Sequence, residues 1–323
     1  AQAAQPVATE KAGQVRWQCC PGHARQALDS PPAFTGRRGM LSMADRSRTV
    51  GDFSVTERPR MAWTHGAKRV LLIRVDFSDL AGMPVSQGRY VSPDYAWALF
   101  QRINRFFRRA SYGRTSVVLD KESITPVLRM PRPALFYARG GLNDTLHLHA
   151  RQAAAAAGFA VDNYDRVGVV FSSLKWYGGT RMDYGGLANV EGRNFWVNGR
   201  LEFGSLAHEL GHTYGVHHAN RHRSSNRDPI GPGMTVEYGD VFDIMGNTVL
   251  ATEHHDFNPW FKYLLHWLPE ESVLTATGPG IYRIYRFDEK DANLNLPLAL
   301  KVPRRDEASD YWIGYRCAFP QLA

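Results

Sequence analysis

The chain has very little cysteine, because its 323 residues include only Cys19, Cys20 and Cys317. Three cysteines are too few for a disulfide-built scaffold. A bond between the neighbours Cys19 and Cys20 would be strained. Two alternatives stay open: one of them pairs with Cys317 and leaves an odd thiol, or the thiols are free.

Long apolar runs are also missing. No stretch of 18 or more apolar residues is present, so we expect no transmembrane helix. The chain has no tandem repeat, no phosphate-cradling loop and no dinucleotide fingerprint. Calcium stays open as a ligand, but no dense acidic loop supports it.

Acidic residues are outnumbered, and the net charge of +8 comes almost wholly from arginine. A basic chain is typical of partners such as nucleic acid or an acidic surface. No segment interleaves basic and aromatic residues as a base-stacking platform does. We therefore expect no nucleic-acid partner, and we interpret the arginines as solvated, with attraction to anionic cell surfaces.

The most informative segment is residues 208–218, which reads H-E-x-x-H-x-x-G-x-x-H. His208 and His212 are four residues apart, so a helix presents both imidazoles on one face. Gly215 can adopt a left-handed conformation that ends this helix. His218 then approaches from another direction, and three imidazoles with one open position are typical of catalytic zinc.

Glu209 follows the first histidine and is expected to face the open coordination position. There it can accept a proton from an activated water and later donate one to a leaving amine, as a general base and acid. His217 could compete with His218 as the third ligand. The spacing after Gly215 favours His218.

A second feature follows about thirty residues later, in the segment Tyr238–Asn247, where Met245 precedes Gly246. Together with the histidine motif, it resembles the metzincin clan of zinc peptidases, whose members carry a methionine-containing turn beneath the metal. The run from Glu237 to Gly246 is most similar to the gametolysin-like family. Astacin-like members have a tyrosine two residues after the methionine, but Asn247 stands there, so the resemblance assigns no tyrosine ligand.

This resemblance implies a secreted zinc-dependent endopeptidase that hydrolyses extracellular or cell-wall proteins. Its metal ligands would be His208, His212 and His218, its cofactor one catalytic Zn²⁺, and its catalytic residue Glu209. Two alternatives stay open. One is a secreted adhesion or envelope-binding protein with a vestigial or structural zinc site. The other is a zinc hydrolase acting on non-peptide amides or esters.

The resemblance also implies an α+β fold. We expect a zincin- or metzincin-like catalytic domain at 67–271, in which a mixed twisted sheet packs against long helices. Residues 1–66 are poor in periodicity. We interpret them as an N-terminal extension that resembles a propeptide. Residues 272–323 form a small β-rich C-terminal appendage.

Local patterns place the elements. Alternating or continuous apolar runs predict strands, and helical spacing predicts helices. Residues 185–198 predict a loop and an edge strand before the zinc helix, able to hold an extended peptide, with a packed hairpin as the alternative. The other strands are predicted at 68–77, 116–119, 124–128, 166–171, 281–286, 298–302 and 311–316, and helices at 93–107, 145–157 and 259–268.

The remaining polar residues receive weaker interpretations. The chain begins at Ala1 without methionine, as expected after signal-peptide removal, although a cut in a longer chain would look the same. Cys19 or Cys20 could occupy the open zinc position and cause latency, against disulfide and free-thiol alternatives. Asp240 and Asp243 are expected to hold the methionine turn or to orient a histidine. Surface positions or roles beside the ligands are expected for His222, His254 and His255.

Overall fold

The computed structural model describes residues 58–226, 228, 231–247, 251–304 and 310–317, together with two short N-terminal strands. The strands are β1 (Thr9–Lys11), β2 (Gln14–Arg16), β3 (Gly66–Asp76), β4 (Val85–Ser86), β5 (Arg89–Tyr90), β6 (Thr115–Val118), β7 (Ile124–Arg129), β8 (Arg166–Phe171), β9 (Gly186–Ala188), β10 (Asn194–Asn198), β11 (Arg221–Ser224), β12 (Gly233–Val236), β13 (Val273–Thr275), β14 (Ala299–Val302) and β15 (Tyr311–Gly314). The α-helices are α1 (Met61–Thr64), α2 (Pro93–Ala110), α3 (Ala134–Gly140), α4 (Asn143–Ala156), α5 (Phe203–Tyr214) and α6 (Pro259–Leu264).

A six-stranded mixed sheet forms the centre of the fold. Its order is β6-β3-β8-β10-β9, and β7 pairs with the second half of β3. All neighbours run parallel except β9, which pairs antiparallel with β10. The α+β class predicted from the sequence is therefore confirmed.

The central strand β3 shows why this sheet has a core on each face. Side chains alternate between faces along a strand. Val70 and Leu72 accordingly join a core that includes α2 and α5, whereas Leu71 and Ile73 join a core that includes α3 and α4. A strand buried on both faces has a continuous apolar sequence, which is how residues 68–77 could be identified.

Helix α2 begins where its sequence predicts a cap. The Ser92 side chain accepts a hydrogen bond from the Tyr95 backbone N–H at 3.1 Å, and Pro93 occupies the first turn. Its buried face includes Phe107, whose ring stacks on Tyr214 of α5 with centroids 5.2 Å apart. This contact packs α2 against α5.

The predicted edge strand is only partly correct. Residues 194–198, expected at the edge, form β10 inside the sheet, where Phe195 and Trp196 are fully buried. The edge is occupied by β9, from the glycine-rich part of the same segment. The adjacent aromatic residues Phe195 and Trp196 of β10 point to opposite faces and both need burial, which an interior strand provides. The edge position is left to β9, which has no aromatic residue.

The C-terminal part contains a three-stranded sheet of order β13-β14-β15. The strands predicted at 298–302 and 311–316 are confirmed, but the one predicted at 281–286 is wrong. Only Arg286 of that segment forms a bridge, to Tyr315, and Ile281 is exposed. Alternation alone does not make a strand when no neighbouring strand is available for pairing.

A buried charge connects this region to the rest of the fold. The Lys262 ammonium group on α6 donates to Asp256 Oδ2 at 2.7 Å, to the Phe287 carbonyl oxygen at 3.3 Å and to the Tyr112 hydroxyl at 3.3 Å. Burial lowers the pKa of Lys262 to about 8, although the Asp256 carboxylate opposes this change.

The predicted division at residues 66 and 271 stays a prediction. Within the predicted N-terminal extension, Trp63 Nε1 donates to the carbonyl oxygen of Thr213 at 2.9 Å, so this part packs on α5. None of the helices in the described ranges is both long and apolar enough to cross a membrane, as the sequence predicts.

Candidate metal centre

Helix α5 carries the histidine motif and is buried along its whole length. The helix ends at Gly215, whose φ of 119° lies in the left-handed region. A Cβ atom at this position would also lie 2.7 Å from Pro59 Cγ, so only glycine fits. The chain then turns back and returns His218 toward the helix.

The structure brings His208, His212 and His218 together. One ligand atom from each residue lies within 4.8 Å of the other two. The ring centroids are 4.7 Å apart for His208 and His212, 5.3 Å for His208 and His218, and 4.9 Å for His212 and His218. Two rings come from one face of α5 and the third comes from the turn after it.

Each of the three rings is oriented by an acceptor at its Nδ1 atom. His208 Nδ1 lies 3.1 Å from the Ile244 carbonyl oxygen, His212 Nδ1 lies 2.8 Å from the Val216 carbonyl oxygen, and His218 Nδ1 lies 2.8 Å from Glu237 Oε1. A carbonyl or carboxylate oxygen can only accept, so each Nδ1 carries the proton. In the neutral form of each ring, Nε2 then carries the lone pair that a metal ion needs.

The electrostatic environment keeps the His208 ring neutral. Burial lowers its pKa well below the usual value, and the neighbouring His212 and His218 lower it further. A neutral imidazole is the form that binds a metal ion. Three imidazole nitrogens suit Zn²⁺ in number and in type, so these residues fit the metal that the sequence predicts.

Glu209 is buried beside this cluster. Its carboxylate packs directly against the backbone of β9, because a Cβ atom built on Gly186 would overlap Glu209 Oε1. Burial alone raises the pKa of Glu209 to about 8. A positive ion nearby would oppose this effect and favour the carboxylate.

The segment after the third histidine places a methionine beneath the helix. Gly246 N–H donates to the Asp243 carbonyl oxygen at 3.0 Å and closes a tight turn around Met245. A Cβ atom on Gly211 would overlap Met245 Sδ, so the sulfur packs against α5 between the two histidines. The turn that contains Met245 thus packs directly against the helix that carries His208 and His212.

Asp243 holds this turn, which was one of its two predicted roles. Its Oδ1 accepts from the Met245 N–H at 2.7 Å, and its Oδ2 accepts from the Asn258 N–H at 2.6 Å. Burial, the largest cause, raises the pKa of Asp243 to about 7. Asp240 instead accepts from the nearby Phe242 N–H at 2.9 Å.

Two residues at the site have no role in the sequence prediction. The Glu237 carboxylate accepts a hydrogen bond from His218 Nδ1. The Tyr238 ring lies against His218, with centroids 4.0 Å apart. Both lie just after the hairpin formed by β11 and β12, which returns the chain to the site. The β11 sequence, Arg221–Ser224, is wholly polar, so no apolar alternation was available to predict that hairpin.

The other candidate residues lie elsewhere. In the described parts of the chain, His217 is outside the three-histidine cluster, as are the histidines at 222, 254 and 255. The expectation for His255 is corrected at one point, because it is buried rather than at the surface. Cys19 and Cys20 lie outside the described residues, and Cys317 Sγ lies 3.0 Å from the Tyr315 hydroxyl oxygen.

Comparisons with known proteins add little. No family model matches the chain, and no curated protein matches it. Among solved structures, the chain is similar to the crystal structure of wild-type OgpA from Akkermansia muciniphila, with 16% identity and a TM-score of 0.36, over 77% of this chain and 69% of that chain. A TM-score of this size carries no argument about fold or function.

Proposed function

We propose that the protein is a secreted zinc-dependent endopeptidase of the metzincin type, most similar to the gametolysin-like family. One observation carries this proposal: three histidines converge with each Nδ1 proton already held by an acceptor, so all three Nε2 atoms are prepared for one ion. The adjacent buried Glu209 supports catalysis, since a purely structural zinc site does not need a carboxylate there.

The chain's own residues have distinct tasks in this proposal. His208, His212 and His218 would hold Zn²⁺, which supplies Lewis-acid activation of water and of a substrate carbonyl when bound. Glu209 accepts a proton from the attacking water and passes it to the departing amine. Its burial against β9 keeps the carboxylate fixed and excludes competing water.

A peptide substrate is supported by the position of β9. This strand ends the sheet, and an edge strand offers backbone N–H and C=O groups to an extended chain. Because Gly186 of β9 touches the Glu209 carboxylate, a peptide added at this edge would pass beside the proposed general base. The net charge of +8 favours targets in anionic extracellular or cell-wall surroundings.

Zymography on casein or gelatin tests the proposal, together with elemental analysis for zinc. We expect clearing of the substrate, loss of clearing with a chelator and recovery on adding Zn²⁺. The Glu209→Gln variant should retain zinc but lose at least about a hundredfold in kcat, since general acid–base catalysis is removed. Glu271→Gln, at an exposed glutamate, is the matched control.

Two outcomes would contradict parts of this proposal. Unchanged proteolysis by Glu209→Gln would remove Glu209 from the mechanism. Zinc binding without any hydrolysis of protein would favour the alternative, an envelope-binding protein with a structural metal site.

A further inference from the structure

The Tyr238 ring lies beside two of the three clustered histidines. Its ring centroid lies 4.0 Å from that of His218 and 5.8 Å from that of His208. The Tyr238 residue is 38% exposed, whereas His208 and His212 are 5% and 7% exposed. Tyr238 is therefore more accessible to solvent than these two histidines beside it in the cluster region.

The backbone at Tyr238 adopts an uncommon conformation. Its φ of 56° lies in the left-handed region, which is unfavourable for a bulky residue and often marks functional sites. Hydrogen bonds from both sides hold it there. The Tyr238 N–H donates to Asn220 Oδ1 at 3.0 Å, and the Asp240 N–H donates to the Ala219 carbonyl oxygen at 3.2 Å. Both acceptors directly follow His218, so the same short segment fixes the ligand and the tyrosine.

This conformation has a consequence for two consecutive side chains. In an extended chain, the side chains of Glu237 and Tyr238 would point to opposite faces. Here both reach His218, since Glu237 accepts from its Nδ1 and Tyr238 lies against its ring. The left-handed backbone at Tyr238 thus allows its ring to lie against His218, on which Glu237 also acts.

Packing against His218 alone would not require a tyrosine. A phenylalanine ring makes the same contact, and a ring with only that task gains more from full burial. The tyrosine adds a hydroxyl that can donate a hydrogen bond. A donor at the solvent side of such a centre can stabilise the charge that develops on a carbonyl oxygen.

We propose that Tyr238 contacts the substrate and donates its phenolic hydrogen to the oxygen of the scissile carbonyl. This inference rests on the proposed function and assigns a catalytic residue beyond Glu209. It places the stabilising donor on the segment between the third histidine and the methionine turn, at a position that the sequence resemblance leaves unassigned.

Three variants separate this role from simple packing. Tyr238→Phe keeps the ring and removes the hydroxyl, Tyr238→Ala removes both, and Tyr90→Phe is the matched control at a tyrosine that is 68% exposed on β5. Each protein is tested for zinc affinity by competition with a chromogenic chelator, and for binding of acetohydroxamate to the zinc-loaded form by calorimetry. Steady-state hydrolysis of a casein-derived fluorogenic peptide gives kcat and KM.

For Tyr238→Phe we expect unchanged zinc affinity, while acetohydroxamate binding and kcat each fall about tenfold, the effect of losing one hydrogen bond to a charged acceptor. KM should change less than kcat, because the lost bond acts on the developing charge. Tyr90→Phe should match the unaltered protein in every measurement.

The proposal is overturned if Tyr238→Phe equals the unaltered protein in acetohydroxamate affinity and in kcat. Weaker zinc binding in Tyr238→Ala alone would then assign Tyr238 to packing on His218. Failure of the proposed function is distinct: the unaltered protein would then bind no zinc, or would bind zinc and acetohydroxamate but cleave no peptide.

Discussion

Replacing Glu237 by alanine should weaken zinc binding without unfolding the protein. The acceptors for His208 and His212 are backbone carbonyl oxygens, which no side-chain substitution removes. The acceptor for His218 is a side chain, so Glu237 is the position at which ligand orientation can be altered by a single substitution. Loss of this acceptor frees the ring to rotate and lowers its basicity.

The expected magnitude follows from the exposure of the pair. Removing an acceptor behind a histidine ligand typically costs 10- to 100-fold in metal affinity, or about 1.4 to 2.8 kcal/mol. The Glu237 side chain is 41% exposed, and water can replace part of its function, so the loss should be about tenfold. Glu237→Gln keeps an acceptor oxygen without the charge and should lose less.

Competition between the protein and a chromogenic zinc chelator measures this change, with thermal unfolding of the metal-free protein as the control for folding. Glu271→Ala provides a matched substitution at an exposed glutamate. Zinc affinity in Glu237→Ala equal to that of the unaltered protein would refute the reasoning, because His218 would then not depend on its Nδ1 acceptor.

Two further predictions concern stability. Gly211→Ala should destabilise the fold by about 1 to 3 kcal/mol, because the added methyl group overlaps Met245 Sδ. The loss of stability should be smaller when Gly211→Ala is made in a Met245→Ala background. Urea titrations measure the loss in each background, and equal losses would contradict this packing. Burial, the largest cause, lowers the pKa of His147 to about 4. The unfolded chain therefore binds a proton first as the pH falls from about 6.5 to about 4, and about 3 kcal/mol of stability is lost over this window. His147→Phe should lose about 3 kcal/mol less between pH 7 and pH 4 in urea titrations, and identical losses would show that His147 is not the group responsible.

Helix α5 and the clustering of its histidines with His218 could be predicted because the information is local. A four-residue spacing on a helix and a glycine at its end determine where His208, His212 and His218 can point. The central strand and α2 were predictable for the same reason, since their apolar patterns follow the periods of a strand and a helix. Helix α3 was missed because seven residues between Pro133 and Gly141 are too few to show a period.

The residues that were not predicted depend on contacts distant in sequence. Glu237 follows His218 by 19 residues and reaches it only because β11 and β12 pair as a hairpin. Tyr238 requires a left-handed backbone that its residue type disfavours, so the surrounding hydrogen bonds override local preference. The prediction of a strand at 281–286 was wrong for the opposite reason. The local pattern suits a strand, but in the described structure only Arg286 of this segment pairs with another residue.

The buried ammonium of Lys262 sets an order of events while the chain is being made. Asp256 precedes it in the sequence, but the Phe287 carbonyl that completes its hydrogen bonds is added 25 residues later. Before that point, docking of α6 would enclose a charge with unfilled donors, which is costly. The hydrogen bonds of Lys262 are therefore complete only once the chain through Phe287, which follows both α5 and α6 in the sequence, is present.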